Sequence, residues 1–182
     1  MDYLSTIVPS IADGLQVTLK IFVITIVLSL PLGIIMAMAR LSPLAVLRKL
    51  LEGYIYLMRG TPLMLQILFI YYGLPFLIPG LRLADYPAAI IAFVLNYAAY
   101  FAEIFRGGIQ SIDRGQYEGA KVLGMTYAQT MRRIVLPQVL KRVLPPVANE
   151  TINLLKDTSL VYILAMNDVL RITRSIVQRD FD

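Results

Sequence analysis

The chain has 182 residues, of which 58% are hydrophobic and only 16% are charged, and its formal net charge at pH 7 is +5. Soluble domains are about 25% charged and 45–50% apolar, so this composition predicts a membrane protein built as one domain of packed spans. There is no cysteine and no histidine, which excludes disulfides, thiol chemistry, Cys/His zinc sites and histidine proton relays. The basic residues lie between apolar runs, as they do in cytoplasmic membrane loops, so we expect no nucleic-acid partner.

Four stretches approach the length of about 20 apolar residues that a helix needs to cross a bilayer. We place these spans at residues 20–39, 59–80, 86–105 and 143–166. A short external segment, residues 1–13, precedes them. A cleaved signal peptide is the alternative for the first run, but the segment before it carries Asp2 and Asp13 instead of basic residues, and the run is too long. The fourth span is the least regular, because charged residues interrupt it.

The basic residues also predict the orientation of the chain. They are concentrated between spans one and two and between spans three and four, whereas the second loop has only Arg82, opposed by Asp85. We therefore expect both basic loops in the cytoplasm and the N-terminus outside. The tail after span four carries Arg171, Arg174 and Arg179, which conflicts with an external position for that tail.

The third loop contains a helical segment of its own at residues 113–137. Residues 118–123 favour a short helix, and Gly124 lies where a left-handed residue would end it. Thr126 opens a capping-box pattern with the glutamine three residues later, which predicts the start of a second helix. Pro137 marks a further boundary or bend. Composition alone would make this segment an amphipathic helix on the membrane surface.

The spacing within this loop carries a family resemblance. It reads EGAKVLGMTYAQTMRRIVLP over residues 118–137, which closely resembles the signature E-A-A-x3-G-x9-I-x-L-P of permease subunits of ATP-binding-cassette (ABC) importers. The single departure is Gly119 in place of the first alanine. Three further stretches resemble signatures of the polar amino-acid subfamily: MRGTPLMLQILFIYYGLP at 58–75, NYAAYFAEIFRGGIQSID at 96–113 and LKDTSLV at 155–161.

The resemblance implies an all-α fold, the transmembrane domain of a type I ABC importer, over residues 14–182. The family has one more C-terminal span than the four expected here. In this family the short helix of the loop docks in a groove of a separate ATPase subunit. We assign this coupling role to Glu118, Gly119, Ala120, Leu123 and Gly124.

The resemblance also implies the partners and the location. The protein would work in a bacterial cytoplasmic membrane, surrounded by lipid, as a dimer with an identical or paralogous permease. Two ATPase subunits, an external solute-binding protein and a polar amino-acid substrate would complete the system. The chain lacks the G-x-x-x-x-G-K-[ST] phosphate loop, so ATP and Mg would be bound by the partner ATPase. The chain itself would bind no cofactor or metal and would not be an enzyme.

A polar stripe on the fourth span predicts the translocation pathway. Ionisable groups within a span cost about 2.5–3.5 kcal/mol on insertion scales and therefore face a cavity or the bundle interior. At about 100° per residue, the polar positions fall within an arc of roughly 120°. They are Asn149, Glu150, Asn153, Lys156 and Asp157. The alternatives are internal ion pairs of Lys156, a face toward the sister subunit, or a gate formed by Lys156 and Asp157.

Three other polar positions are given structural roles. Arg59 and Glu103, near the cytoplasmic ends of spans two and three, are predicted to form an ion pair, with direct substrate contact as the alternative. Asn96 is expected to form an interhelical hydrogen bond.

Two other functions fit a chain of this kind: an ion-coupled secondary transporter, which would need internal repeats that we do not find, and a non-transporting scaffold whose loop anchors a partner.

Overall fold

The structure is a computed structural model that describes the backbone of residues 2–181 and the side chains of residue 5 and residues 7–179. Every regular element in this range is helical. The α-helices are α1 (Asp2–Arg40), α2 (Ala45–Gly60), α3 (Leu63–Leu77), α4 (Asp85–Gln110), α5 (Arg114–Val122), α6 (Tyr127–Thr130), α7 (Leu136–Asp157) and α8 (Val169–Phe181). A π-helical segment, Phe69–Gly73, lies within α3, a second one, Met131–Val135, joins α6 to α7, and a 3-10 segment, Thr158–Leu164, follows α7.

Two helices of the described range are long and apolar enough to cross a membrane, namely Ile7–Arg40 within α1 and Asp85–Gln110, which is α4. Helices α2 and α3 meet the same test only as a pair, and the chain bends by 108° between them. The predicted fourth span does not meet it, because the charged residues on α7 lower its hydropathy. The total of four spans therefore stays a prediction.

The first two predicted spans have different limits in the structure. The helix that contains the first span begins at Asp2, so the predicted external segment is already helical from that residue. Hydropathy locates only the apolar part of a helix, whereas backbone hydrogen bonding continues into its polar flanks. The second predicted span, residues 59–80, is divided at Thr61, which is extended at φ −120° and ψ 144°. A residue before proline is driven out of the helical region, and Pro62 follows here.

Helices α1 and α4 form the centre of the molecule. Six alanines of α4 are buried, and so are Phe93, Tyr97 and Phe101. A Cβ atom on Gly33 of α1 would lie 2.6 Å from Cβ of Phe101. The two helices therefore pack with almost no gap at this point, which only glycine permits.

Buried amide groups stabilise the bend between α2 and α3. The Asn96 amide donates to the Met58 carbonyl and to Oε1 of Gln66, both at 3.0 Å, which confirms the predicted interhelical hydrogen bond. The Gln66 amide donates to the same carbonyl at 2.9 Å and to the Thr61 hydroxyl at 2.7 Å. The carbonyls at a helix end have no partner within the helix, so this network satisfies them inside the protein.

The chain leaves the predicted fourth span through a tight turn. The 3-10 segment ends at Ala165, which has a left-handed φ of 58°. The fully buried Asp168 then caps α8 by accepting hydrogen bonds from the backbone N–H groups of Leu170 at 3.2 Å and Arg171 at 3.1 Å. Helix α8 packs against α1 at Gly14, where an added Cβ would lie 2.9 Å from the Val169 backbone.

Candidate coupling surface and translocation cavity

Helix α5 ends as the sequence predicts, in a left-handed glycine. Gly124 has φ +69°. The Met125 N–H donates to the Ala120 carbonyl, and the Gly124 N–H donates to the Lys121 carbonyl, both at 3.0 Å. These two bonds are the Schellman pattern that satisfies the last carbonyls of a helix, and they give the loop a sharp turn.

The predicted capping box begins the next helix. The Gln129 N–H donates to the Thr126 hydroxyl at 3.3 Å, and the Thr126 N–H donates to the Gln129 side chain at 2.8 Å. The boundary expected at Pro137 lies next to it, where the π-helical segment ends and α7 begins at Leu136. The turn before the proline is wider than an α-helical turn, and the Leu136 N–H donates to the Met131 carbonyl. A wider turn accommodates a proline, which lacks an N–H and would clash with the carbonyl four residues earlier.

The loop exposes a surface with apolar side chains. Val122 is 87% exposed, Leu123 78% and Tyr127 74%. We define the coupling surface as the exposed residues Glu118, Gly119, Val122, Leu123, Gly124 and Tyr127. A Cβ on either of its glycines would meet nothing within 4 Å. Large exposed apolar side chains rimmed by polar ones are typical of an interaction site.

Ala120 was assigned to this surface, and the structure corrects that assignment. Its side chain is buried within the loop, because α5 must turn one face toward the rest of the chain. On the same helix Tyr117 packs against the buried cluster of Ile112, Val135 and Val139, and its burial raises the pKa of the Tyr117 hydroxyl above the usual value. Ala120 therefore supports the fold of the loop, and the other four assigned residues remain accessible.

A polar cavity of about 710 Å³ lies between the α2–α3 bend, α4 and α7. Four of the five residues of the predicted stripe line it: Glu150, Asn153, Lys156 and Asp157. Asn149 is exposed outside the lining. The helical repeat predicts on which side of α7 a residue lies, but it does not predict how far along the helix the cavity extends.

The predicted ion pair between Arg59 and Glu103 is wrong. Glu103 pairs with Arg40 at 3.4 Å and also with Arg106, whose Nε donates to it at 2.9 Å. The Arg59 guanidinium lies 5.2 Å from the centre of the Tyr100 ring instead and lines the polar cavity. Arg59 occupies the last turn of α2, where the chain bends toward this cavity, so the cations nearest to Glu103 come from α1 and α4.

The internal ion pairs of Lys156, which were the alternative to a pathway lining, are absent among the described residues. Asp157 accepts a hydrogen bond from the Tyr97 hydroxyl at 2.7 Å, and Glu150 accepts one from the Asn153 amide at 3.5 Å. The cavity thus holds two cations, Arg59 and Lys156, that have no carboxylate within salt-bridge distance in the described range, and two carboxylates that accept hydrogen bonds from neutral groups. Such an arrangement can receive a ligand that carries both charges.

From the sequence, Arg59 had substrate contact only as an alternative role, and Tyr97 and Tyr100 were not assigned to the cavity. The turn signal Gly60-Thr61-Pro62, which directly follows Arg59, was the available indication that a helix ends there. No comparable signal marks the tyrosines, since aromatic residues are frequent on buried helix faces.

Comparisons with known proteins agree with this geometry. The family described as "Binding-protein-dependent transport system inner membrane component" matches residues 29–182. The arginine transport system permease protein ArtQ of Bacillus subtilis is 39% identical, over 94% of this chain and 78% of that protein. The L-cystine transport system permease protein TcyB of the same organism is 35% identical, over 96% and 74%. The putative glutamine transport system permease protein GlnP of Rickettsia typhi is 36% identical, over 88% and 73%.

Two solved structures share the fold. The crystal structure of an amino acid ABC transporter with histidines superposes with a TM-score of 0.88 at 35% identity, covering 100% of this chain and 85% of that one. The MetNI methionine ABC transporter in an inward-facing conformation gives a TM-score of 0.59 at 18% identity, over 87% and 74%. The second likeness concerns the fold alone.

The chain belongs to the family of binding-protein-dependent transport system inner membrane components. It is a permease subunit of an ABC importer with the type I transmembrane fold, and it is an integral protein of the inner membrane. In such systems separate ATPase subunits hydrolyse ATP, and a solute-binding protein delivers the solute. None of the relatives named above supports the ion-coupled transporter or the non-transporting scaffold.

Proposed function

We propose that this permease subunit forms the pathway of an importer of polar amino acids, together with an identical or paralogous permease. The polar cavity carries this proposal, because its lining contains two cations and two carboxylates that form no ion pair with each other. The relatives named for arginine, glutamine and cystine transport support the same substrate class.

The charges of the cavity suit an amino acid, which carries an ammonium and a carboxylate. Arg59 or Lys156 would accept the carboxylate, and Glu150 or Asp157 the ammonium. Hydrogen bonds to charged groups contribute about 1.5–3 kcal/mol each, which is enough to select a zwitterion over a neutral solute. Asn153 lines the same cavity and would orient the ligand with its amide.

The coupling surface would dock on the ATPase. Leu123 and Val122 supply apolar contact area, Gly119 and Gly124 leave room for a close approach of the partner, and Glu118 offers an anion. Two ATPases, which bind ATP and Mg, would act on the two permeases, and this chain would bind no cofactor of its own. The loop follows α4 directly, so the N-terminus, at the far end of α1, would lie outside the cell beside the solute-binding protein.

A crosslinking experiment tests the docking. The chain contains no cysteine, so Leu123→Cys provides a unique handle on the coupling surface. Val46→Cys is a matched control, because Val46 is 75% exposed on α2 but lies outside that surface. We expect Leu123→Cys to crosslink to a phosphate-loop ATPase in native membranes and Val46→Cys not to do so. Equal capture at both positions, or none at Leu123 in an assembled transporter, would contradict the proposal.

A further inference from the structure

One helix joins the two functional regions. Helix α7 carries the charged residues of the polar cavity near its C-terminal end, and its first half contacts the coupling loop. From Gln138 to Glu150 the helix rises about 18 Å. The helix is continuous through Pro145 and Pro146, so a displacement of its first half would reach the cavity.

Polar side chains attach the start of α7 to the loop on both sides of residue 113. Nη1 of Arg142 donates to the Ser111 carbonyl and to the Ser111 hydroxyl, the latter at 2.9 Å. The Gln138 amide donates to the Gln116 side chain at 2.9 Å. Ser111 caps α4 and Gln116 belongs to α5, so these two contacts tie α7 to the helix before the coupling turn and to the coupling helix itself.

Apolar packing closes the same junction. Val135, Val139 and Val143 are buried against Ile112 and Tyr117. Close packing of this kind transmits a displacement, because protein interiors are hardly compressible. This packing determines where the loop sits, while the polar contacts lie at its exposed rim.

Arg142 also borders open space next to the polar cavity. It lines a second cavity of about 520 Å³, and this neighbouring cavity shares Arg59, Tyr100 and Glu150 with the polar cavity. The hydrogen bonds of Arg142 are exposed to solvent, so they add little to the stability of the fold. Their position between the coupling loop and the cavity calls for another role.

We propose that Arg142 and Gln138 are positioning residues that couple the ATPase to transport, by making α7 follow the coupling loop. This inference rests on the proposed docking of the coupling surface. When the link is cut, the ATPase would still dock and hydrolyse ATP, but fewer turnovers would move a solute molecule.

The test uses the complete importer, with its ATPase and solute-binding protein, in proteoliposomes. The variants are Arg142→Gln and, as a matched control, Lys141→Gln, which removes the same charge from the adjacent exposed position. The measured quantity is the number of ATP molecules hydrolysed per amino acid taken up. Allosteric couplings typically correspond to factors of 5–150. We expect the ratio to rise at least about five-fold in Arg142→Gln, with Gln138→Leu in the same direction, and to stay unchanged in Lys141→Gln.

Crosslinking through Leu123→Cys separates the outcomes. The coupling role is supported if the Arg142→Gln importer still crosslinks to the ATPase but hydrolyses more ATP per amino acid taken up. It is also supported if this ratio recovers in Arg142→Lys, which keeps a cationic donor. A ratio equal to that of Lys141→Gln overturns it. Loss of the crosslink in Arg142→Gln also overturns it, since Arg142 would then only hold the loop in place. If the otherwise unchanged chain fails to crosslink, the proposed function itself fails.

Discussion

Removal of the Asn96 amide should loosen the bend that forms one wall of the polar cavity. Asn96 is only 3% exposed and donates two hydrogen bonds, to Met58 and to Gln66. In Asn96→Ala the Met58 carbonyl keeps its bond from Gln66, but Oε1 of Gln66 loses its donor. Interhelical hydrogen bonds in membranes contribute about 0.6 kcal/mol on average, and a buried acceptor left unsatisfied costs about 1–3 kcal/mol. We therefore expect a loss of roughly 2 kcal/mol in the free energy of unfolding.

The assay is reversible unfolding of the purified chain in mixed detergent, followed by its helical circular dichroism. Asn149→Ala serves as the control, because Asn149 is exposed and lies outside the cavity. Gln66→Ala and the double variant complete a double-mutant cycle, and residues in one network should show an interaction energy of at least about 0.5 kcal/mol. Strict additivity of the Asn96 and Gln66 substitutions, or equal losses in the two asparagine variants, would refute this account of the bend.

Three further outcomes follow from single sites. Arg59→Gln should raise KM for uptake by about 10–100-fold, since one charge-assisted hydrogen bond contributes about 1.5–3 kcal/mol, and an unchanged KM would remove Arg59 from the pathway. Gly33→Val should lower the free energy of unfolding by about 1–3 kcal/mol relative to Gly53→Val. The reason is that α4 fills the space at Gly33, whereas the space at Gly53 is open. Equal losses of stability in the two variants would contradict the close packing of α1 and α4. Gly124→Ala should destabilise the turn by about 1–2 kcal/mol and weaken crosslinking to the ATPase. Gly119→Ala should leave the crosslinking unchanged, because the backbone at Gly119 is helical. A larger loss of crosslinking in Gly119→Ala than in Gly124→Ala would be evidence against the left-handed turn.

Local features of the loop could be predicted from the sequence because short-range geometry decides them. The left-handed Gly124 and the capping box at Thr126 each depend on hydrogen bonds between residues at most five positions apart. The stripe on α7 could be predicted for a similar reason, since the helical repeat places four of its residues on one side. Family resemblance supplied the coupling role, which no rule of composition or periodicity could provide.

The failures concern contacts between residues distant in sequence. From the sequence, several arginines could pair with Glu103. The packing of α1 against α4 decides that Arg40 and Arg106 are its partners. Arg59 faces the cavity because the chain turns by 108° after it, and Thr61 and Pro62 indicate a break without giving its angle. Ala120 faces inward because α5 packs against α7, a contact that the spacing of the motif does not contain.

From hydropathy, capping and motif spacing, which act along the chain, the sequence predicts a helical membrane protein with a protruding glycine turn and a resemblance to a permease. The packing of the helices selects the charges that remain available to a substrate. That outcome depends on which helix lies opposite each ionisable group, and it requires the bend at Thr61, the close approach of α1 to α4 at Gly33 and the packing of α7 on the loop to exist at the same time. The two packing contacts join residues that are distant in sequence, so neither can be read from a single stretch of residues.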